Sequence, residues 1–147
     1  MTNTGSTFGS IATSPAEKLR DTNIISFAMR NQHGVAERIH RHPPNTLTTS
    51  IIVLAEGLTG AKKSARSDNW INAWRTATRE WRLLDFDATC ADHYARIRAH
   101  LEKNGCMIGL HDCQIAATAL AHNLIVVTDN LDEFRRVPGL RVENWVK

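Results

Sequence analysis

Four apolar residues in a row, Leu124-Ile-Val-Val127, run directly into Thr128-Asp129-Asn130. A short apolar run without alternation is the pattern of a strand buried on both faces, which belongs in a parallel sheet covered by helices. Its abrupt polar end marks the carboxyl edge of such a sheet, where open α/β folds gather their chemistry. Acids recur at comparable places: Asp21-Thr-Asn near the start, Glu56 in Ile52-Val-Leu-Ala-Glu56, and Asp112 ahead of Ile115-Ala-Ala-Thr-Ala-Leu-Ala121. Taken singly, an Asp at a strand end or helix start is a cap or turn residue. Taken together, carboxylates from distant parts of a chain have a common reason to meet in one crevice, which is to hold a hard divalent cation. Glu56 carries the most weight, because a carboxylate inside an apolar helix needs a cation or a bound partner to offset its burial.

The remaining pattern alternates strand and helix. Short strands are expected at 18–20, 46–49, 83–86, 124–128 and 140–145. Helices are expected at 24–30, 35–42, 51–64, 68–82, 87–103, 112–123 and 132–136, with Ser50 and Asp68 as N-caps and Pro43-Pro44 as a stop. The architecture that follows is a three-layer α/β domain with a central, mostly parallel sheet flanked by helices. Lys18-Leu19-Arg20 is a poor strand by composition, and its assignment rests on the Asp21-Thr-Asn that follows. Gly57 and Gly60 weaken the third helix by roughly 1 kcal/mol each relative to Ala, and leave room for something to approach the backbone beside Glu56. Trp70, Trp74 and Trp81 fall on one helical stripe, read as core or as a groove for a partner helix or a second copy of the chain.

At 147 residues, 42% apolar and 22% charged, the chain suits one soluble domain. The domain is placed at 18–147, preceded by a Thr-, Ser- and Gly-rich tail at 1–17 expected to be disordered. A net charge of +3 permits a polyanionic partner without requiring one. Cys90, Cys106 and Cys113 show no metal or disulfide spacing, which suits a reducing, cytoplasmic setting. No run approaches the roughly 18–20 apolar residues of a spanning helix, so no membrane association is expected. The seven histidines lack the spacing of a zinc site, and His111 stands apart only because it precedes Asp112. Gly-rich nucleotide-binding patterns are absent. A phospho-acceptor receiver domain would need a Lys after its last central strand, where Thr128-Asp-Asn-Leu has none.

Four stretches in order resemble the successive motifs of PIN-domain ribonucleases: Asp21-Thr-Asn-Ile-Ile-Ser, Ser50-Ile-Ile-Val-Leu-Ala-Glu56-Gly-Leu-Thr-Gly, Ile108-Gly-Leu-His-Asp112-Cys-Gln-Ile-Ala-Ala, and Leu124-Ile-Val-Val-Thr-Asp-Asn-Leu-Asp-Glu-Phe. The closing Val137-Pro-Gly-Leu-Arg-Val-Glu-Asn-Trp145 is similar to the ends of VapC toxins of VapBC toxin–antitoxin systems. The resemblance spans about residues 18–147. It implies a Rossmann-like sheet and a Mg²⁺- or Mn²⁺-dependent endoribonuclease acting on structured RNA such as tRNA. It also implies a cognate VapB-like antitoxin, and a homodimer or higher toxin–antitoxin assembly. By motif, Asp21 and Asp112 match the principal metal ligands, Glu56 the acid of the second motif, and either Asp129 or Asn130 the last position. Thr22, Asn23, Thr128 and Asn130 are then expected to orient those carboxylates or touch phosphate, and Lys62 and Lys63 to contact RNA. The chain departs from the family before Asp21, where an apolar strand ending in Leu-Asp-Thr-Asn is usual and Ala-Glu-Lys-Leu-Arg-Asp-Thr-Asn stands here. A module impaired at that strand, binding antitoxin or RNA without cleaving, is the competing expectation.

Overall fold

The computed structural model describes residues 17–146, so the expected tail lies outside the described residues except for Glu17. Five strands form one all-parallel sheet: β1 (Lys18–Arg20), β2 (Thr48–Ser50), β3 (Arg82–Leu84), β4 (Ile125–Val127) and β5 (Val142–Glu143). Their spatial order is β3-β2-β1-β4-β5. The chain therefore steps outward from β1 through β2 to β3, then returns to the other side of β1 and steps out again. The reversal falls between β1 and β4, and a crevice opens at the carboxyl ends of two strands that diverge in this way.

Seven helices connect the strands: α1 (Thr22–Met29), α2 (Val35–His40), α3 (Ile51–Lys63), α4 (Ser67–Thr78), α5 (Ala88–Lys103), α6 (Leu110–Ala121) and α7 (Leu131–Phe134). Three begin on a carboxylate or hydroxyl cap, of which the sequence suggests Ser50. Ser50 accepts from Val53 N at 3.1 Å, Asp87 from Cys90 N at 3.0 Å and Asp21 from Ile24 N at 3.1 Å. The expected Asp68 cap does not form; α4 starts at Ser67 with no side-chain cap, and Asp68 sits in its first turn, where its charge suits the helix dipole. That helix also stops at Thr78 rather than near 82, because Arg82 joins the sheet, its N–H bonding Leu47 O at 2.8 Å.

The polar first strand is central. Lys18, Leu19 and Arg20 pair with Ile125, Val126 and Val127 of β4, and Leu19 also pairs with Thr48 of β2. Leu19 points into the apolar core on one face, while Lys18 and Arg20, two apart, share the other. There the chain end supplies what they need. Lys18 Nζ donates to Glu143 Oε1 at 3.0 Å, and Trp145 Nε1 reaches the same oxygen at 2.6 Å. The Arg20 guanidinium lies 5.1 Å from the Trp145 ring centroid and bonds Lys18 O at 2.7 Å, with Arg38 of α2 a further 4.5 Å partner of the ring. Burial lowers the Arg20 pKa to about 10, against the pull of Glu143. An indole face and one carboxylate thus take the place of the apolar residues usual in such a strand.

Trp74 and Trp81 belong to the core, and Trp70 packs against it half-buried. Gly57 is the reason α3 and α4 lie so close: a Cβ there would fall 2.4 Å from the Trp74 ring. No helix is long and apolar enough to cross a membrane among the described residues, and all three cysteines are free thiols.

Candidate active site

Asp21 and Thr128 directly follow β1 and β4, so the strand reversal sets their side chains against each other. Thr128 Oγ1 donates to Asp21 Oδ2, Ile24 N donates to Oδ1, and the Asp21 N–H is held by Val127 O at 3.0 Å. This carboxylate is 4% exposed. Burial pushes its pKa up to about 7; the two donors pull the other way, and the charges of Asp129 and Asp112 add to the rise.

Around it a cavity of about 170 Å³ is lined by Asp21, Asn23, Glu56, Asp112, Asn130 and neighbours. Glu56 enters from α3, half-buried and held by two partners: Thr22 Oγ1 donates to Oε1 at 2.8 Å, and His111 Nδ1 lies 3.0 Å from Oε2. Sequence reasoning asks what relieves a carboxylate in an apolar helix, and these two contacts are part of the answer. Asp112 sits in the first turn of α6, which begins two residues earlier than expected, so Leu110 and His111 are helical rather than loop. Burial raises the Asp112 pKa to about 6, followed by the nearby Glu133 and Glu56 charges. Asn130 Nδ2 bridges Asp112 Oδ2 at 3.2 Å and Glu133 Oε2 at 2.6 Å. The neighbouring acid adds to the rise at Asp112, while the Asn130 amide and the Gly109 N–H hold Glu133 below the usual carboxylate range. Glu133 accepts from Asn130 Nδ2 and from Gly109 N, the latter at 3.0 Å.

Asn130, rather than Asp129, faces this cavity. Asp129 is exposed, accepts from Asn23 Nδ2 at 3.0 Å, and acts on the site through its charge on Asp21. Lys62 and Lys63 are exposed in the last turn of α3 and do not line the cavity. Glu133 is the acid that sequence reasoning passes over. Its signal was present in Asn130-Leu-Asp-Glu133, since a helical turn after Asn130 returns residue 133 to the same side.

Among the described residues no three His, Cys, Asp or Glu side chains form a ready-made metal-ligand set. The donor chemistry nonetheless suits a hard cation. The cavity presents carboxylate oxygens from Asp21, Glu56 and Asp112, two of them raised in pKa by burial and by neighbouring acids, and no thiolate. Mg²⁺ needs only one or two direct carboxylates and keeps its remaining waters.

A parallel sheet with acids converging at its reversal point defines a carboxylate-centred α/β domain. Residues 18–140 match the PIN domain family model. Ribonuclease VapC2 of Rickettsia felis is 36% identical over 132 residues, covering 86% of this chain and 96% of the relative. The tRNA(fMet)-specific endonuclease VapC of Salmonella typhimurium is 35% identical over 126 residues, covering 85% and 95%. Among solved structures, DNA-bound VapBC from Salmonella typhimurium superposes with a TM-score of 0.81 at 34% identity, covering 88% of this chain and 98% of that one. VapBC2 from Rickettsia felis, bound to a DNA fragment from its promoter, gives 0.79 at 31%, covering 87% and 98%. The chain belongs to the PIN-domain family, in its VapC branch.

Proposed function

We propose that the protein is a metal-dependent endoribonuclease, the toxin of a toxin–antitoxin pair, hydrolysing phosphodiester bonds in structured RNA such as tRNA. The observation that carries this reading is the buried Asp21 carboxylate, set at the strand reversal in one cavity with Glu56, Asp112 and Asn130. The names of the Rickettsia and Salmonella relatives support it. The pairing of β1 on both sides supports this reading over a non-cleaving module.

Asp21 and Asp112 would hold Mg²⁺ or Mn²⁺, which when bound neutralises charge on the scissile phosphate and lowers the pKa of water. The chain's own residues do the rest. Thr128 and the Ile24 N–H fix the Asp21 carboxylate, and Asn130 fixes Asp112. Glu56, steadied by Thr22 and His111, is placed to accept a proton from attacking water. Asn23 at the rim, held by Asp129, presents its amide to a phosphate oxygen. Lys62 and Lys63, exposed at the end of α3, extend positive charge beyond the cavity for the flanking backbone.

The partners proposed are the RNA substrate and a VapB-like antitoxin, as in the VapBC complexes of similar structure. Leu110 and Ile51, 56% and 37% exposed, give an antitoxin or a second copy an apolar foothold on the helices that carry Asp112 and Glu56. In the decisive test, purified protein is incubated with total tRNA. Cleavage should stop in EDTA, return with Mg²⁺ or Mn²⁺, and fall at least about 100-fold in Asp112→Asn with the circular dichroism unchanged. Full activity of Asp112→Asn, or in EDTA, would remove the mechanism.

A further inference from the structure

A second cavity, about 160 Å³, adjoins the acid site and shares Thr22, Asn23 and Glu56 with it. Three helices wall it, each for a reason visible in the sequence. From α3 come Gly57, Gly60, Ala61 and Ser64, at i, i+3, i+4 and i+7, small residues on one face that leave an opening. From α1 and its C-cap come Ser26 and Arg30, and from α4 come Trp70 and Trp74. Trp74 is locked against Gly57. Trp70, one turn earlier, is half-buried, with the exposed Arg30 guanidinium 5.2 Å from its ring centroid. The ribonuclease mechanism uses neither of these two groups.

We infer that this cavity is a subsite for one unpaired nucleobase of the RNA strand, adjacent to the scissile phosphate, with Trp70 as its stacking platform once the exposed Arg30 guanidinium, 5.2 Å from that ring's centroid, swings outward to cover the base. The inference rests on the ribonuclease reading and deepens it. A ligand with its phosphate among Asp21, Glu56 and Asp112 has its neighbouring group delivered past Thr22 and Asn23 into this opening. The opening offers what an unstacked base takes: an indole ring, a planar guanidinium, and the Ser26 and Ser64 hydroxyls at the edge. A partner helix would require a long apolar groove with repeated anchor pockets. This one is short, partly polar and opens into the acid site. Gly60 is the point at which it can be closed, because a Cβ added there meets nothing within 4 Å and leaves room for a longer side chain to enter the opening.

The test is a cycle on a single-stranded oligoribonucleotide that the protein cuts at one mapped position, with an abasic residue placed in turn at each nucleotide flanking the cut. In the wild-type protein, removing the base at one flanking position should raise KM about tenfold with a smaller change in kcat. Trp70→Ala and Gly60→Leu should raise KM by a similar factor on the intact strand, and the abasic residue should then add nothing further. Trp70→Phe should retain most of the sensitivity. If the abasic residue costs Trp70→Ala and Gly60→Leu as much as it costs the wild type, or if no flanking position is sensitive, the subsite is overturned. The same holds if the variants change only binding of an antitoxin. Absence of any cutting by the folded wild-type protein with Mg²⁺ or Mn²⁺ would instead sink the ribonuclease reading, and this inference with it.

Discussion

Asp21 combines 4% exposure with two hydrogen-bond donors and the nearby charges of Asp129 and Asp112. The donors favour the ionised form, but burial and the neighbouring acids outweigh them, and the carboxyl titrates near 7 rather than 3.8. The folded state therefore keeps a proton between about pH 4 and 7 that the unfolded chain has already lost, so stability falls as pH rises through that window. Asp112, raised to about 6, acts in the same direction. In EDTA, the melting temperature should decline from pH 5 to pH 7.5, and Asp21→Asn should reduce the decline and melt higher than the wild type at pH 7.5. Added Mn²⁺ should restore the wild type but not the variant. A melting temperature that rises over this window in EDTA would contradict the assignment of Asp21 as a buried, uncompensated acid. At this scale the sequence disclosed the residue types more readily than their neighbours. Asp21 and Asp112 were legible from a strand end and a helix start, and Glu56 from its place inside an apolar helix. The choice of Asn130 over Asp129 was not, because it depends on which of two adjacent residues turns inward after β4. The Asn130 bridge from Asp112 to Glu133 joins α6 to α7 across the site, and the local pattern offers only its second half, the helical turn from 130 to 133.

The elements are held in place by two devices with opposite visibility. The apolar β4 reads directly from Ile125-Val-Val127, whereas β1 contradicts its own composition. Two cations in a central strand make sense only with the last residues of the chain beside them, 125 positions on in the case of Lys18 and Glu143. Trp145 is 3% exposed under Lys18, Arg20 and Arg38. Its loss should destabilise by about 3–5 kcal/mol in urea unfolding through lost packing, while Trp145→Phe, which keeps a ring over the cations, should lose substantially less. Equal losses would deny the ring its role as cation partner. The glycines of α3 give a paired prediction. Gly57→Ala should destabilise despite its better helix propensity, since the new methyl meets the Trp74 ring at 2.4 Å. Gly60→Ala meets nothing within 4 Å and should stabilise by about 0.5–1 kcal/mol. Two changes of the same sign would show that the α3–α4 contact does not depend on Gly57.

For the molecule as a whole, the order β3-β2-β1-β4-β5 turns acids at positions 21, 56 and 112 into lining of one cavity. The alternation of strand and helix made that three-layer architecture legible, and parallel strands with helical crossovers left few other ways to connect them. The exact ends of α4 and α6 were less legible, because Arg82 is drawn into the sheet by Leu47 O and His111 is held beside Glu56, neither of which local propensity encodes. The polar carboxyl edge and the exposed apolar side chains beside it fit a toxin whose antitoxin and substrate meet it on neighbouring surfaces. Crystals soaked in Mn²⁺ and measured at the manganese absorption edge give the most direct test. An anomalous peak should lie in the cavity between Asp21 and Asp112, and it should vanish in Asp112→Asn. RNA cleavage by a protein that takes up no Mn²⁺ there would contradict the account.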